Sequence, residues 1–260
     1  MSIIQAIVYG VVQGITEFLP VSSTAHLKLI PWFLGWSEPG IAFDVALHIG
    51  TAVAVILFFF NDWVKLISAG LSRPKSPEGK LFWYIAIATI PGAIAGVTLD
   101  KYMDVFSNPL LTAIMLILMG IALYIADKIG KKEIEFEQVG FRRSVIIGIS
   151  QALAIIPGVS RSGITMTTGR ALGMTREGIA KFTFLMATPI IVADALYHAK
   201  GLMTVNIELA SFLTAILTAA VVGILSIKFL LDFLKKRGFA IFAVYRLLLG
   251  TLVIIVYFTR

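Results

Sequence analysis

The 260-residue sequence contains no cysteine, which excludes disulfides and thiolate metal sites and leaves the redox compartment unreadable. Charge is scarce as well: 14% of residues are charged against 58% hydrophobic, far from the soluble average. With apolar runs of spanning length, that balance excludes one or two soluble domains. No basic segment followed by a cleavage site opens the chain, so it is expected to be mature from residue 1 onward. The net charge of +7 gains meaning only when each cation is assigned to one side of a membrane.

What is present is apolar length. Six runs, 41–60, 82–99, 109–127, 179–197, 209–234 and 239–258, are long enough to cross a hydrocarbon core, which takes roughly 20 residues. Two more regions, 3–35 and 144–173, are hydrophobic but interrupted at their centres. Arms of 13 and 10 residues in the second (Ser144 to Ile156, Ile164 to Gly173) do not span a bilayer at ~1.5 Å per residue. Each interrupted region therefore reads as a hairpin that enters and leaves on one side. Broken backbone at that depth survives only inside protein or beside a wet cavity.

The two interruptions resemble each other. A gapless shift of 138 positions lays Gly10 on Gly148, Gln13 on Gln151, Val21-Ser22 on Val159-Ser160, Leu34-Gly35 on Leu172-Gly173 and Gly40-Ile41-Ala42 on Gly178-Ile179-Ala180, nine identities in all. Polar, Gly/Pro-interrupted segments at matching positions of two halves point to a transporter-like membrane architecture. Each half, about 1–128 and 140–260, then holds one hairpin and three crossings. Three is odd, so the second half must be inverted relative to the first. The fold class expected is all-α integral membrane: six transmembrane helices plus two re-entrant helical hairpins in an inverted-topology repeat.

Charge sets the orientation. Sixteen lysines and arginines fall on one side of this arrangement and four, Lys28, Lys101, Lys200 and Arg260, on the other. The positive-inside bias puts both termini and the mouth of the first hairpin on the outer side of the membrane. The segments 72–79 and 131–143 read as solvated linkers. Their basic residues suit anionic inner-leaflet lipid, with no nucleic-acid site.

The chemistry concentrates in Gln13-Gly-Ile-Thr-Glu17-Phe-Leu-Pro20-Val-Ser22-Ser23-Thr24-Ala-His26 and Pro157-Gly-Val-Ser160-Arg161-Ser162-Gly163. Ionisable groups at membrane depth usually mark a site, although a polar interfacial loop is the plainer alternative. Helices restarting after Pro20 and Pro157-Gly158 aim unpaired N–H groups at the breaks, where an anion is favoured. Gln13, Ser22, Thr24, Ser160, Ser162, Gly163 and Thr165 are candidate substrate-binding positions. Arg161 adds a fork matched to phosphate, or else a structural ion pair with Glu17; the two are compatible. Glu17 and His26 suit acid–base work, and Gln13 with Glu17 at i, i+4 offers oxygens to a divalent ion. Asp44–His48 reads as a supporting pair or interfacial polarity, and Asp194, Tyr197 and His198 as interfacial. Arg246, next to Tyr245, is expected to pair with a carboxylate such as Asp194 or Asp232.

The two motifs resemble the signature regions of the bacterial undecaprenyl-diphosphate phosphatase family, also called the bacitracin-resistance family, and the resemblance covers the whole chain. It implies hydrolysis of undecaprenyl diphosphate to the monophosphate carrier of cell-wall synthesis, on the outer face, with Mg²⁺ or Ca²⁺ dependence. Gln13 stands at the first of the family's paired acidic positions, and Ala25 where Gly is common. Ser23 is the candidate nucleophile, with water activated by Glu17 as the alternative; Glu17 is base or metal ligand, His26 its acid–base partner and Arg161 the phosphate clamp. The partners expected are the polyprenyl diphosphate and membrane lipids, and a homodimer is compatible with the chain. The rival class is an anion or lipid-carrier transporter on the same inverted repeat.

Overall fold

The computed structural model describes residues 2–36, 40–99, 108–199 and 208–260. Helix α1 (Ile3–Thr16) starts from a reciprocal cap, in which Ser2 Oγ accepts from Gln5 N and Gln5 Oε1 accepts from Ser2 N. A non-helical stretch carries Glu17 to Ser22, and α2 (Ser23–Leu34) follows, ending on Gly35 in the left-handed region. Next come α3 (Ile41–Phe58), α4 (Phe60–Ser72), α5 (Pro77–Leu99) and α6 (Pro109–Ile129), the last capped by Asn108 with proline at its first position. A 3-10 turn at Phe136–Gln138 leads to α7 (Phe141–Gln151), a second 3-10 turn (Ala152–Ile155), a break, and α8 (Arg161–Ala171). Then α9 (Arg176–Ala199), α10 (Leu209–Lys236) and α11 (Ala240–Thr259) complete the chain.

All six long apolar runs are helical. Among the described residues, five helices are long and apolar enough to cross a membrane, and α3 and α4, bent 72° apart, pass the same test as a pair. Helix α4 is a correction, because residues 61–72 read from sequence as part of a linker. Its buried Leu66, Ala69 and Gly70 fall at i, i+3, i+4, a periodicity that the neighbouring apolar run obscured. Ser37, Lys101 and Lys200 lie outside the described residues, as do the side chains of Tyr197 and His198.

Close packing is achieved with small residues, as membrane helices require. Helix α1 sits on α10 through Gly10 and Gly14, where an added Cβ would meet Thr218 Cβ at 2.7 Å and Val222 Cβ at 2.8 Å. Helix α7 sits on α5 through Gly148, where a Cβ would meet the carbonyl oxygen of Ala88 at 2.5 Å. The first broken helix pair thus packs on the second half of the chain, and the second pair on the first half. Helices α6 and α11 close on each other at Gly250, whose Cβ would lie 2.8 Å from the Ala113 carbonyl oxygen. Phe18, fully buried beside Glu17, packs edge-on against Phe184 at 5.6 Å and anchors the first break in the core.

A second buried charge cluster ties α6 to the end of α8 and the start of α9. Asp127 accepts from Arg170 Nε (3.0 Å), from Arg176 Nε and Nη2 (both 2.7 Å) and from the Phe239 N–H (3.1 Å). Arg170 also donates to the carbonyls of Met174, Asp127 and Gly130, so backbone dipoles share the second positive charge of the cluster.

Glycine spacing makes the packing testable. Gly148→Val should push α7 off α5 and destabilise by roughly 1–3 kcal/mol. Gly96→Ala, in the same helix α5 with nothing within 4 Å, should be neutral or stabilising. Melting temperatures in one detergent compare the two; equal losses would mean that α7 does not rest on α5 at Gly148.

Candidate functional site

Both breaks end in the same unusual residue. Ser22 (φ 76°, ψ 96°) and Ser160 (φ 73°, ψ 121°) are the non-glycine residues with positive φ among those described. Each then caps the helix that follows: Ser22 Oγ accepts from Ala25 N at 3.4 Å, and Ser160 Oγ from Gly163 N at 3.0 Å. A serine there supplies the cap that glycine lacks, at a backbone cost of about 1–3 kcal/mol. The 138-residue correspondence therefore holds at the level of a single strained dihedral.

The α2 and α8 N-termini open onto a cavity of about 50 Å³ lined by Thr16, Glu17, Ser22, Ser23, Thr24, Ala154, Ser160 and Arg161. That space suits a few waters or one tetrahedral oxyanion. Glu17 has a nearly buried side chain, 5% exposed. Its Oε2 accepts from Ser23 Oγ at 2.7 Å and from Gln13 Nε2 at 3.2 Å, while its Oε1 faces Arg161 Nη2 at 3.4 Å. The charge facing Glu17 is the Arg161 guanidinium. Arg161 Nη1 and Gln13 Oε1 are buried atoms without a hydrogen-bond partner in the protein. A buried guanidinium nitrogen left unpaired at the cavity wall is a donor waiting for an acceptor.

Several expected residues lie elsewhere. Ser162 bonds Ser160 Oγ and the Leu19 carbonyl, and so ties α8 to the other break. The Gly163 N–H is spent on Ser160 Oγ, and Thr165 is buried against Thr183 Oγ1 and the Arg161 carbonyl. These three support the cavity wall and do not line it. His26 also lies outside the lining set. Its Nδ1 donates to the Ser22 carbonyl at 2.7 Å, which leaves Nε2 to pair with the Tyr245 hydroxyl at 2.6 Å, the two rings stacked 6° from parallel. His48 Nδ1 bonds the backbone carbonyl of Asp44 at 2.8 Å.

The largest correction concerns Arg246. Among the described residues, all its partners are carbonyl oxygens: Pro20 (3.0 Å), Gly158 (2.7 Å), Val159 (3.1 Å), Leu116 (3.1 Å) and Met115 (3.4 Å). It does not pair with Asp194 or Asp232, and Asp232 is bonded by Lys235 at 2.7 Å. The first three carbonyls belong to the two breaks, which freed them from helical bonding. Sequence gave no sign of this, because the acceptors are backbone.

With the geometry in hand, comparison with known proteins is decisive. The family model for bacitracin resistance protein BacA matches residues 6–252. The chain belongs to the BacA family. It is 51% identical over 261 residues to the undecaprenyl-diphosphatase of Moorella thermoacetica, covering the whole of both chains. It is 48% identical to that of Pelotomaculum thermopropionicum (98% of this chain, 97% of the other) and 47% to that of Caldicellulosiruptor bescii (100% and 99%). BacA membership, with the apolar helices, makes this a multi-pass membrane protein.

Arg246→Lys tests the carbonyl clamp. One ammonium cannot reach acceptors on three segments, and each buried carbonyl orphaned costs about 1–3 kcal/mol. The variant should lose folded yield and melt well below wild type, whereas Arg161→Lys should melt near it. An unshifted melting temperature for Arg246→Lys would remove the clamp from the account.

Proposed function

We propose that this protein is a membrane phosphatase that hydrolyses undecaprenyl diphosphate to undecaprenyl phosphate and inorganic phosphate, recycling the carrier lipid of cell-wall synthesis. The relatives' activity supports the reading, and the observation that carries it in this chain is the Ser23–Glu17–Arg161 set around one oxyanion-sized cavity. An anion or carrier-lipid transporter needs no hydroxyl held at 2.7 Å by a buried carboxylate.

Ser23 Oγ already donates to Glu17 Oε2, so Glu17 takes its proton as Ser23 attacks the terminal phosphorus. The bond to the bridging oxygen breaks, and undecaprenyl phosphate leaves. A departing phosphate has its second pKa near 6 and needs little protonation, which suits a cavity that His26 does not line. Arg161 donates from Nη1 to the equatorial oxygens, and the first-turn N–H groups of α2 and α8 add partial positive charge. Glu17 gives up its proton as the lipid monophosphate departs and, ionised again, takes a proton from the attacking water and returns it to Ser23 Oγ as the phosphoserine bond breaks and inorganic phosphate leaves. His26, bonded to Ser22 and Tyr245, orients the start of α2.

The residues also fit a divalent cation, Mg²⁺ or Ca²⁺. Glu17 and the unpartnered Gln13 Oε1 would give two oxygens, with diphosphate oxygens completing the shell, as is usual for Mg²⁺ on phosphates. No cluster of three or more acidic or imidazole ligands occurs among the described residues, so the substrate must supply part of the coordination. The ion would neutralise diphosphate charge.

The same reading takes α1–α2 and α7–α8 as re-entrant hairpins of two inverted repeats, about 1–128 and 140–260, with six crossings in a bacterial plasma membrane. Both termini and the cavity mouth then face outward. A cysteine at Gly40 should react with an impermeant reagent outside intact cells and one at Ser76 should not; the reverse would invert the orientation.

Phosphate release from a purified sample given farnesyl and undecaprenyl diphosphates, with and without chelator, tests the activity. Ser23→Ala should abolish phosphoenzyme and lower turnover; full turnover would favour direct attack by water. Arg161→Lys keeps the charge and loses the planar fork. It should cost about 2–4 kcal/mol at the transition state, roughly 30- to 1,000-fold in rate, at unchanged melting temperature. Near-wild-type turnover would reduce Arg161 to a strut for Glu17.

A further inference from the structure

Helix α4 takes no part in the reaction above, yet its surface is sorted into three faces. Phe60, Val64, Ile67 and Leu71 are 56, 52, 43 and 71% exposed, and their i, i+4, i+7, i+11 spacing makes one apolar stripe. Lys65, Ser68 and Ser72, also exposed, make a polar stripe roughly 100° further round the helix. Leu66, Ala69 and Gly70 form the third face, buried, with the Gly70 carbonyl accepting from Trp83 Nε1 at 3.2 Å. A bilayer-crossing helix would turn that polar stripe into hydrocarbon. A helix lying along the surface keeps one stripe in the acyl region and the other among headgroups.

Three further observations agree. Helix α4 leaves α3 at 72°, turning away from the direction of the apolar run. Trp83, 45% exposed, lies against it with Nε1 donating to the Gly70 carbonyl, and tryptophan is enriched at membrane–water interfaces. Exposed basic residues also accumulate there: Lys65 on the helix, then Arg73, Lys75 and Lys80. Against them stands Glu78, since Asp62 is bonded by Lys181 at 2.7 Å.

We infer that α4 lies in the membrane–water interface and, with Lys65, Arg73, Lys75 and Lys80, forms a binding surface for the headgroups of anionic phospholipids. The apolar stripe sets the depth of the helix, and the cations beside it select headgroup charge. A neutral choline headgroup satisfies the first and not the second. The inference is independent of the phosphatase reading, because none of these residues touches the cavity.

The test uses the full chain in nanodiscs of phosphatidylcholine, alone or mixed with phosphatidylglycerol. A fluorophore on Val64→Cys should be quenched by nitroxide-labelled lipid, and one on Ser68→Cys by aqueous iodide. Iodide quenching of both would put α4 in water, and lipid quenching of both would bury it in the bilayer; either result overturns the inference. Native mass spectrometry of the detergent-solubilised protein then compares retained phosphatidylglycerol and phosphatidylcholine. Combining Lys65→Gln, Arg73→Gln and Lys75→Gln, all at exposed positions, should weaken phosphatidylglycerol binding on the order of 100-fold, about five-fold per cation, with phosphatidylcholine unchanged. Undiminished phosphatidylglycerol binding, or a disulfide-linked dimer through Ser68→Cys as the dominant species, would overturn it.

Discussion

The two broken helices that build the cavity depend on one fully buried guanidinium, that of Arg246. Two helices are broken within the apolar bulk, and each break frees backbone carbonyls that neither lipid nor a neighbouring helix can satisfy. Arg246 answers from a third helix, donating to Pro20 in one break and Gly158 and Val159 in the other. Its remaining bonds to Leu116 and Met115 lock both breaks onto α6. Arginine alone has five donors, no acceptor and a planar spread wide enough for this task. A cation at membrane depth is expensive, and here the charge is met by carbonyl dipoles and not by an acid.

Once the breaks are fixed, the helices restarting from them have little freedom. Ser22 and Ser160 turn the chain through positive φ and at once cap the helices they begin, so each strained residue also supplies a hydrogen bond. Ser162 reaches across to the Leu19 carbonyl and couples the two turns directly. The outcome is that Ser23 and Arg161, distant in sequence, both meet Glu17. Among the described residues, positive φ at a non-glycine position is confined to the two turns that build the cavity, where packed neighbours hold it in place.

The apolar runs, the interruptions at Pro20 and Pro157 and the residues bearing charge were legible in the sequence, because hydropathy and helix-breaking act locally. The matched serines were legible as well, through the gapless shift. Helix α4 was not, since an amphipathic segment fused to an apolar run blurs the periodicity that would separate them. Arg246 was misread for a different reason: its partners are backbone atoms, and any residue type can offer a carbonyl. His26 illustrates a third limit. Its place in the motif suggested a shared pocket with Glu17, yet the first turn of α2 swings the ring towards Tyr245. Spacing along a chain fixes which side chains are near, not which way they face.

The two buried carboxylates show how the same pairing yields a strut in one place and a site in another. Asp127 receives two arginines and a backbone N–H, and Arg170 spends its remaining donors on carbonyls. Such a cluster turns its buried donors on the protein and joins helices. Glu17 is met differently: its arginine stands off at 3.4 Å, keeps one nitrogen unpaired and borders open volume. Unpaired donors in a low-dielectric enclosure are costly unless an acceptor arrives to use them. Asp127 shows that this chain can saturate a buried acid, and the nitrogen left unpaired beside Glu17 is the donor that the proposed anion site would use.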